Sequence, residues 1–266
     1  MRRISLRRTT AAMPSILRMA DKGDKYVKRK AKIFDLPMRL GIIGKSGCGK
    51  TSVLGSLLLL NEFYNKDFQG DNIYIISNSL KNDFKLQAIV KRKNIPEDNL
   101  YQHYDEIAMQ KLYDELEENY RFTVKAGDKP EHTLVIFDDC SFSGDLKNKS
   151  FGAISRFVCN GRKPLISTIQ TSQKYSQLST TSRENFSGLM LSTCSNKQLE
   201  LIESDCCYVD KKAFNCQFRC TTNERFKFFI VNFSNDRKGM YQNDDFQSLC
   251  MCPHNAEARC GGKEAA

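Results

Sequence analysis

The chain has 266 residues, 40% hydrophobic and 27% charged, the composition of an ordinary globular protein long enough to bury one sizeable α/β core. Its formal net charge of +10 is unevenly spread: residues 1–32 carry eleven basic and two acidic residues, a net of +9, which leaves the rest of the chain at +1. That distribution removes net charge as an argument that the body binds nucleic acid, and apolar runs as short as Leu57–Leu60 exclude a segment of the ~18 apolar residues that a membrane-spanning helix needs.

The basic arm, residues 1–32, admits three readings: a phosphate-contacting tail, an Arg-rich and acid-poor targeting presequence, or a solvated leader. Residues 33–235 are expected to form one domain, and residues 236–266 a cysteine-containing tail. With no long apolar signal segment in view, the eleven cysteines read as mostly free thiols in a reducing compartment. Cys250-x-Cys252-x-His254-x5-Cys260 collects soft ligands, but its spacing departs from the paired arrangement of zinc sites, so free thiols are the expectation there.

Residues 38–43 predict a strand and residues 50–64 a helix. Between them Gly44-Lys45-Ser46-Gly47-Cys48-Gly49-Lys50-Thr51 fits G-x-x-x-x-G-K-[ST] at every position. Strand, glycine loop and helix are the context in which that pattern binds a triphosphate. Backbone N–H groups from Gly44 through Ser52 would converge on phosphate oxygens at the helix N-terminus. Lys50 would reach the β- and γ-phosphates, and the Thr51 hydroxyl would ligate Mg²⁺. Cys48 has two readings, an activated thiol at a helix start or a small filler turned away from phosphate.

Asn72–Ser77 reads as a buried strand, with Ser77-Asn78-Ser79 at its end a candidate to hold a polar switch residue, 80–93 as a helix, and 100–104 as a short strand. Residues 105–121 predict an amphipathic helix burying Ile107, Leu112, Tyr113, Leu116 and Tyr120. The run Thr133–Phe137 lacks polar alternation, as expected of a strand covered on both faces, and it ends in Asp138-Asp139. Ligands gather at the carboxyl ends of parallel strands, which suits Asp138 to the metal and Asp139 to polarising a water as general base.

A helix is predicted over 146–160, strands over 164–169 and 187–192, a helix over 196–204 and a strand over 226–233. A strand ending in Gln173 beside the carboxylate strand would bring an amide near the γ-phosphate, with loop solvation the alternative, and Arg183 lies on a following turn or short helix, with a surface ion pair the alternative to a role at a nucleotide. The alternation of strands and helices indicates an α/β layer fold with a mostly parallel sheet. A GTPase base-reading Asn-Lys-x-Asp is missing, since Asn196-Lys197 continues Gln198-Leu199.

Together the glycine loop, the Asp138-Asp139-Cys140 strand end, and the series Gly161-Arg162…Gln173-x-Tyr175…Arg183-x-Asn185 resemble one family across about residues 38–193. It is the poxvirus-type genome-packaging ATPases of the FtsK/HerA P-loop superfamily, found in large DNA viruses, virophages and related elements. This chain differs in Lys163 after the Gly-Arg pair, where His is frequent, and in Ser179 before the arginine turn, where Pro is frequent.

The resemblance implies a P-loop three-layer sandwich of the additional-strand, RecA/FtsK-HerA-like type, with an extra strand between the two nucleotide motifs that residues 71–77 could supply. It further implies an ATP- and Mg²⁺-dependent motor, a homo-oligomeric ring of five or six copies, moving double-stranded DNA into a capsid through portal-vertex proteins. Its place would be the virion assembly site of an infected cell, or the virion itself. Lys50, Asp139, Gln173 and Arg183 would be catalytic, Arg183 acting on a neighbour's nucleotide. The competing functions are a small-molecule kinase and a nucleotide-gated switch or scaffold.

Overall fold

The computed structural model describes residues 33–140 and 152–251. Among the described residues eight strands form one sheet: β1 (Arg39–Ile43), β2 (Ile73–Ser77), β3 (Leu100–Tyr101), β4 (Thr133–Asp138), β5 (Ile166–Ser172), β6 (Gly188–Leu191), β7 (Phe229–Asn232) and β8 (Tyr241–Gln242), in the order β3-β2-β4-β5-β1-β6-β7-β8. The first six run parallel; at one edge β7 pairs antiparallel with β6, and β8 antiparallel with β7.

Both faces of the sheet are covered. Leu40 and Ile42 of β1, Ile73 and Ile75 of β2, and Leu134 and Ile136 of β4 pack with helices α1 (Lys50–Leu59) and α2 (Phe84–Lys93). The alternate residues Ile76, Val135 and Phe137 face α3 (Glu106–Ala126) and α4 (Ala153–Asn160). Ile43, Leu189 and Leu191 pack against α6 (Asn196–Cys206) and α7 (Lys211–Thr221) on that same alternate face. The continuous apolar runs of the central strands follow from this two-sided burial, and the three layers are the predicted sandwich.

One expectation is corrected. The strand between the glycine-loop strand β1 and the carboxylate strand β4 is β5, paired with both, whereas β2 lies on the far side of β4. Chain order does not reveal this, because β5 follows β4 in sequence yet inserts before it in the sheet. β5 is buried throughout despite its polar Ser167, Thr168, Gln170, Thr171 and Ser172.

Helix limits moved for local reasons. α1 stops at Leu59 rather than residue 64, because the chain turns back to bury Tyr64, whose hydroxyl donates to Phe34 O at 2.8 Å. α2 begins only at Phe84, where the Asp83 carboxylate accepts from the N–H groups of Lys85 and Leu86. α3 continues to Ala126 and ends at Gly127 with φ 85°; it buries Met109 with Leu112, Tyr113 and Leu116, while Ile107 is exposed. α5 (Thr180–Asn185) is short, and Ser179 caps it by accepting from Ser182 N–H, so the serine in the usual proline position starts the helix by hydrogen bonding.

The sequence reading assigned no element to α7 or β8. Phe214 and Phe218, one turn apart, anchor α7, and β8 carries the sheet beyond the expected boundary at residue 235, with Leu249 and Met251 packed nearby. Of the predicted helix 146–160, residues 146–151 lie outside the described residues, as do the basic arm and Cys252, His254 and Cys260. Free thiols are found at Cys48, Cys140, Cys159, Cys194, Cys206, Cys207, Cys220 and Cys250, and Cys216 is disulfide-bonded. Among the described residues no cluster of His, Cys, Asp or Glu is placed to hold zinc, and no helix is long and apolar enough to cross a membrane.

Candidate functional site

The turn between β1 and α1 has left-handed backbone at Gly47 (φ 75°) and Gly49 (φ 103°), a region that side chains disfavour. Gly44 meets a different demand: a Cβ there would fall 2.5 Å from Cys48 Sγ and 2.7 Å from Ser192 Cβ. Cys48 thus tucks its sulfur under the loop and against the core, which is the filler arrangement. Ser46, Gly47, Gly49, Lys50, Thr51 and Ser52 line a cleft of ≈ 580 Å³, whose opposite wall holds Ser79, Asp83, Asp138 and Asp139. Gly44, Lys45 and Cys48 shape the loop without lining the cleft.

Lys50 is buried, and its ammonium donates to Gly44 O at 2.9 Å with Asp139 Oδ2 at 4.0 Å. It spans the loop and the carboxylate strand. Thr51 Oγ1 donates to Asp83 Oδ2 at 3.1 Å, so the cap of α2 is also part of the cleft.

The two carboxylates at the end of β4 have different surroundings. Asp138 is buried among hydroxyl donors: Thr171 Oγ1 at 2.6 Å on Oδ1, with Ser77 Oγ at 2.8 Å and Ser79 Oγ at 3.4 Å on Oδ2. Asp139 has positive φ (47°), and its N–H donates to Thr171 Oγ1 at 3.0 Å. Its Oδ2 accepts from Gln173 Nε2 at 3.4 Å, while the buried Oδ1 has no hydrogen-bond partner among the described residues. Burial raises the Asp139 carboxyl above its ordinary value; Asp138 adds to the rise, and Lys50 and Gln173 oppose it. An incompletely paired, partly desolvated carboxylate beside an ammonium is equipped to take a proton from a held water.

The structure therefore brings Lys50, Thr51, Asp138, Asp139 and Gln173 together. It does not bring Arg183 to the same cleft. Arg183 on α5 forms an ion pair with Asp205 of α6, and its guanidinium carbon lies 5.4 Å from the centre of the Tyr175 ring. The Tyr175 hydroxyl donates to the same Asp205 oxygen at 3.1 Å. Sequence reasoning missed Asp83 and Thr171 as parts of the site, whereas Ser77-Asn78-Ser79, the candidate polar switch segment, does reach it through the Ser77 and Ser79 hydroxyls on Asp138. Asp83 carried a legible signal, a cap residue before an apolar-periodic run, but nothing in the chain order placed it against Thr51.

A family model described as "Poxvirus A32 protein" matches residues 25–234. Comparison with curated proteins found no match. Among solved structures, B204, the DNA-packaging ATPase from Sulfolobus turreted icosahedral virus, superposes with a TM-score of 0.53 at 15% identity, covering 81% of this chain and 99% of that one. The genome packaging NTPase B204 from Sulfolobus turreted icosahedral virus 2, in complex with AMP, gives a TM-score of 0.52 at 14% identity, covering 74% and 94%. At such identities these likenesses speak to the fold, and they agree with the P-loop sandwich. The family match spans most of the chain, and with it the resemblance to poxvirus-type packaging ATPases is borne out: the chain belongs to the poxvirus A32 protein family.

Proposed function

We propose that the chain is an ATP-hydrolysing motor that translocates double-stranded DNA and packages a viral genome into its capsid. The observation that carries the hydrolytic part is the convergence of Lys50 and Gln173 on Asp139, whose buried Oδ1 is unpaired among the described residues. Family membership and the printed names of the similar folds, genome-packaging NTPases, support the purpose of that hydrolysis.

In this reading the backbone N–H groups of Ser46, Gly47 and Gly49 hold the phosphates, and Lys50 moves its ammonium from Gly44 O to the β- and γ-oxygens. The residues present fit Mg²⁺. Thr51 uses its hydroxyl hydrogen on Asp83 and keeps its oxygen lone pairs free, and Asp138, with three hydroxyl donors on about four acceptor positions, suits an outer, water-mediated hold. When bound, the cation neutralises charge across the β- and γ-phosphates. Asp139 takes the proton of the attacking water, and the Gln173 amide fixes the carboxylate and orients that water. Arg183 is assigned the neighbouring subunit's nucleotide in a ring of five or six copies, a role that requires it to leave Asp205. The ring's partners are double-stranded DNA and the capsid vertex, and its place is the virion assembly site.

The test is ATP turnover measured with and without double-stranded DNA across a protein concentration series. DNA-stimulated release of phosphate, absent in Lys50→Ala and Asp139→Ala, is the expected result. Transfer of phosphate to a metabolite would favour a kinase instead, and tight ATP binding without turnover a switch.

A further inference from the structure

A second cavity, ≈ 500 Å³, adjoins the phosphate cleft and shares Gly49, Ser52, Lys85 and Phe226 with it. Its remaining walls are mostly apolar and include Val53, Leu57, Met190, Phe228 and Phe246. The size lies within the range of about 300–1,000 Å³ typical of small-molecule sites. It opens on the Ser52 side of the loop, one residue past Thr51.

Phe226 stands between the two spaces. It precedes β7, whose Phe229 is paired with Leu191 at the carboxyl end of β6, so it sits at the edge of the sheet where the glycine loop lies. A Cβ on Gly49 would come within 3.2 Å of Phe226 Cδ1, which places the ring directly against the loop. The residue has φ 67°, a conformation costly for a bulky side chain, yet 57% of it is exposed. A core side chain would hide its ring in return for that strain. Here the ring is presented at the mouth of an apolar cavity, with the Arg225 guanidinium carbon 5.1 Å from its centre.

We infer that Phe226 stacks on the base of the nucleotide whose triphosphate the Gly44–Thr51 loop holds, and that the adjoining cavity receives that base; the inference rests on the reading of the loop as a nucleotide site. A nucleobase offers a flat, partly apolar face, which matches an exposed aromatic ring backed by Val53, Met190 and Phe246. Stacking of this kind is worth about 1–3 kcal/mol, or roughly 5- to 150-fold in affinity.

Calorimetric titration of the full chain with ATP and with inorganic tripolyphosphate, both with Mg²⁺, tests this. Wild-type protein should bind ATP at least about tenfold more tightly than tripolyphosphate. Phe226→Ala should bind ATP about tenfold more weakly with tripolyphosphate unchanged, and Phe226→Tyr should behave as wild type. If Phe226→Ala does not fold, quenching of 2-aminopurine riboside triphosphate on wild-type protein, reversed by excess ATP, reads the same contact. Equal affinities of ATP and tripolyphosphate for wild type, unchanged ATP affinity in Phe226→Ala, or an unquenched bound analogue would overturn the assignment. Failure of the wild type to bind either ligand would instead overturn the nucleotide reading itself.

Discussion

Replacing Thr171 by valine keeps the shape of the side chain and removes one hydroxyl that serves both carboxylate residues. Thr171 is 2% exposed and lies opposite Asp138 in the sheet. Its Oγ1 donates to Asp138 Oδ1 at 2.6 Å and accepts the Asp139 N–H at 3.0 Å, which ties down a residue with positive φ. A hydrogen bond to a charged group contributes about 1.5–3 kcal/mol, and a buried amide left without a partner costs about 1–3 kcal/mol. Asp138 keeps Ser77 and Ser79, and some water entry softens the loss, so about 2–4 kcal/mol is expected from a total stability of about 5–15 kcal/mol. Urea unfolding of the nucleotide-free protein measures it. Thr171→Ser, which keeps the hydroxyl and loses one methyl, should cost only about 1 kcal/mol. If Thr171→Val unfolds within about 0.5 kcal/mol of wild type, the hydroxyl is not holding the site and the reasoning fails.

Three further outcomes follow from the same geometry. Asp139→Asn should lower turnover by about 10²–10⁴-fold, as loss of a general base does. It should also raise the melting temperature of the nucleotide-free protein at neutral pH. Because burial holds the folded-state pKa of Asp139 above its unfolded value, the ionised group opposes folding at pH above the folded pKa; the gain of the variant should shrink as pH falls through the folded pKa and be gone below the ordinary carboxylate value. Gln173→Ala removes an interaction that lowers the Asp139 pKa, so the acid limb of the kcat–pH profile should move to higher pH; a limb that stays put or moves down would contradict the Gln173–Asp139 contact. Rings mixed from Arg183→Ala and Lys50→Ala subunits should recover hydrolysis that neither homogeneous ring has, and no recovery at any mixing ratio would confine Arg183 to its ion pair with Asp205.

The parts of the fold visible in the sequence were those with local causes. The stretch before Gly44 read as a strand and the continuous apolar run before Asp138 as a strand covered on both faces, and the glycine loop declared its own geometry through residues that take positive φ. Asp138, Asp139 and Gln173 could be assigned to one neighbourhood because each ends or follows a strand of a parallel sheet. What stayed hidden depended on contacts between distant segments. The insertion of β5 between β1 and β4 is a matter of sheet order, and the pairing of Thr51 with Asp83 spans 32 positions. β5 was expected only over 164–169, because its polar end gives no apolar signal; burial there rests on contacts such as the Met38 N–H on Ser167 Oγ at 3.1 Å and Thr171 Oγ1 on Asp138 at 2.6 Å, while Thr168 Oγ1 and Gln170 Nε2 have no hydrogen-bond partner among the described residues. α7 escaped because its apolar pair Phe214 and Phe218 is set among Lys, Asn, Gln and Arg, a stripe too thin to stand out until α6 and β7 close over it. The partner of Arg183 could not be foreseen from the chain order, because Asp205 belongs to a helix one strand further on.

The central claim is that hydrolysis in the Lys50–Asp139 cleft moves double-stranded DNA. Displacement of a third strand from a DNA triplex, followed in time with ATP and Mg²⁺ present, tests it most directly. The account predicts displacement that requires ATP, stops with Lys50→Ala, and is accompanied by DNA-stimulated phosphate release. ATP turnover that is indifferent to DNA and leaves the triplex intact at every protein concentration would contradict it.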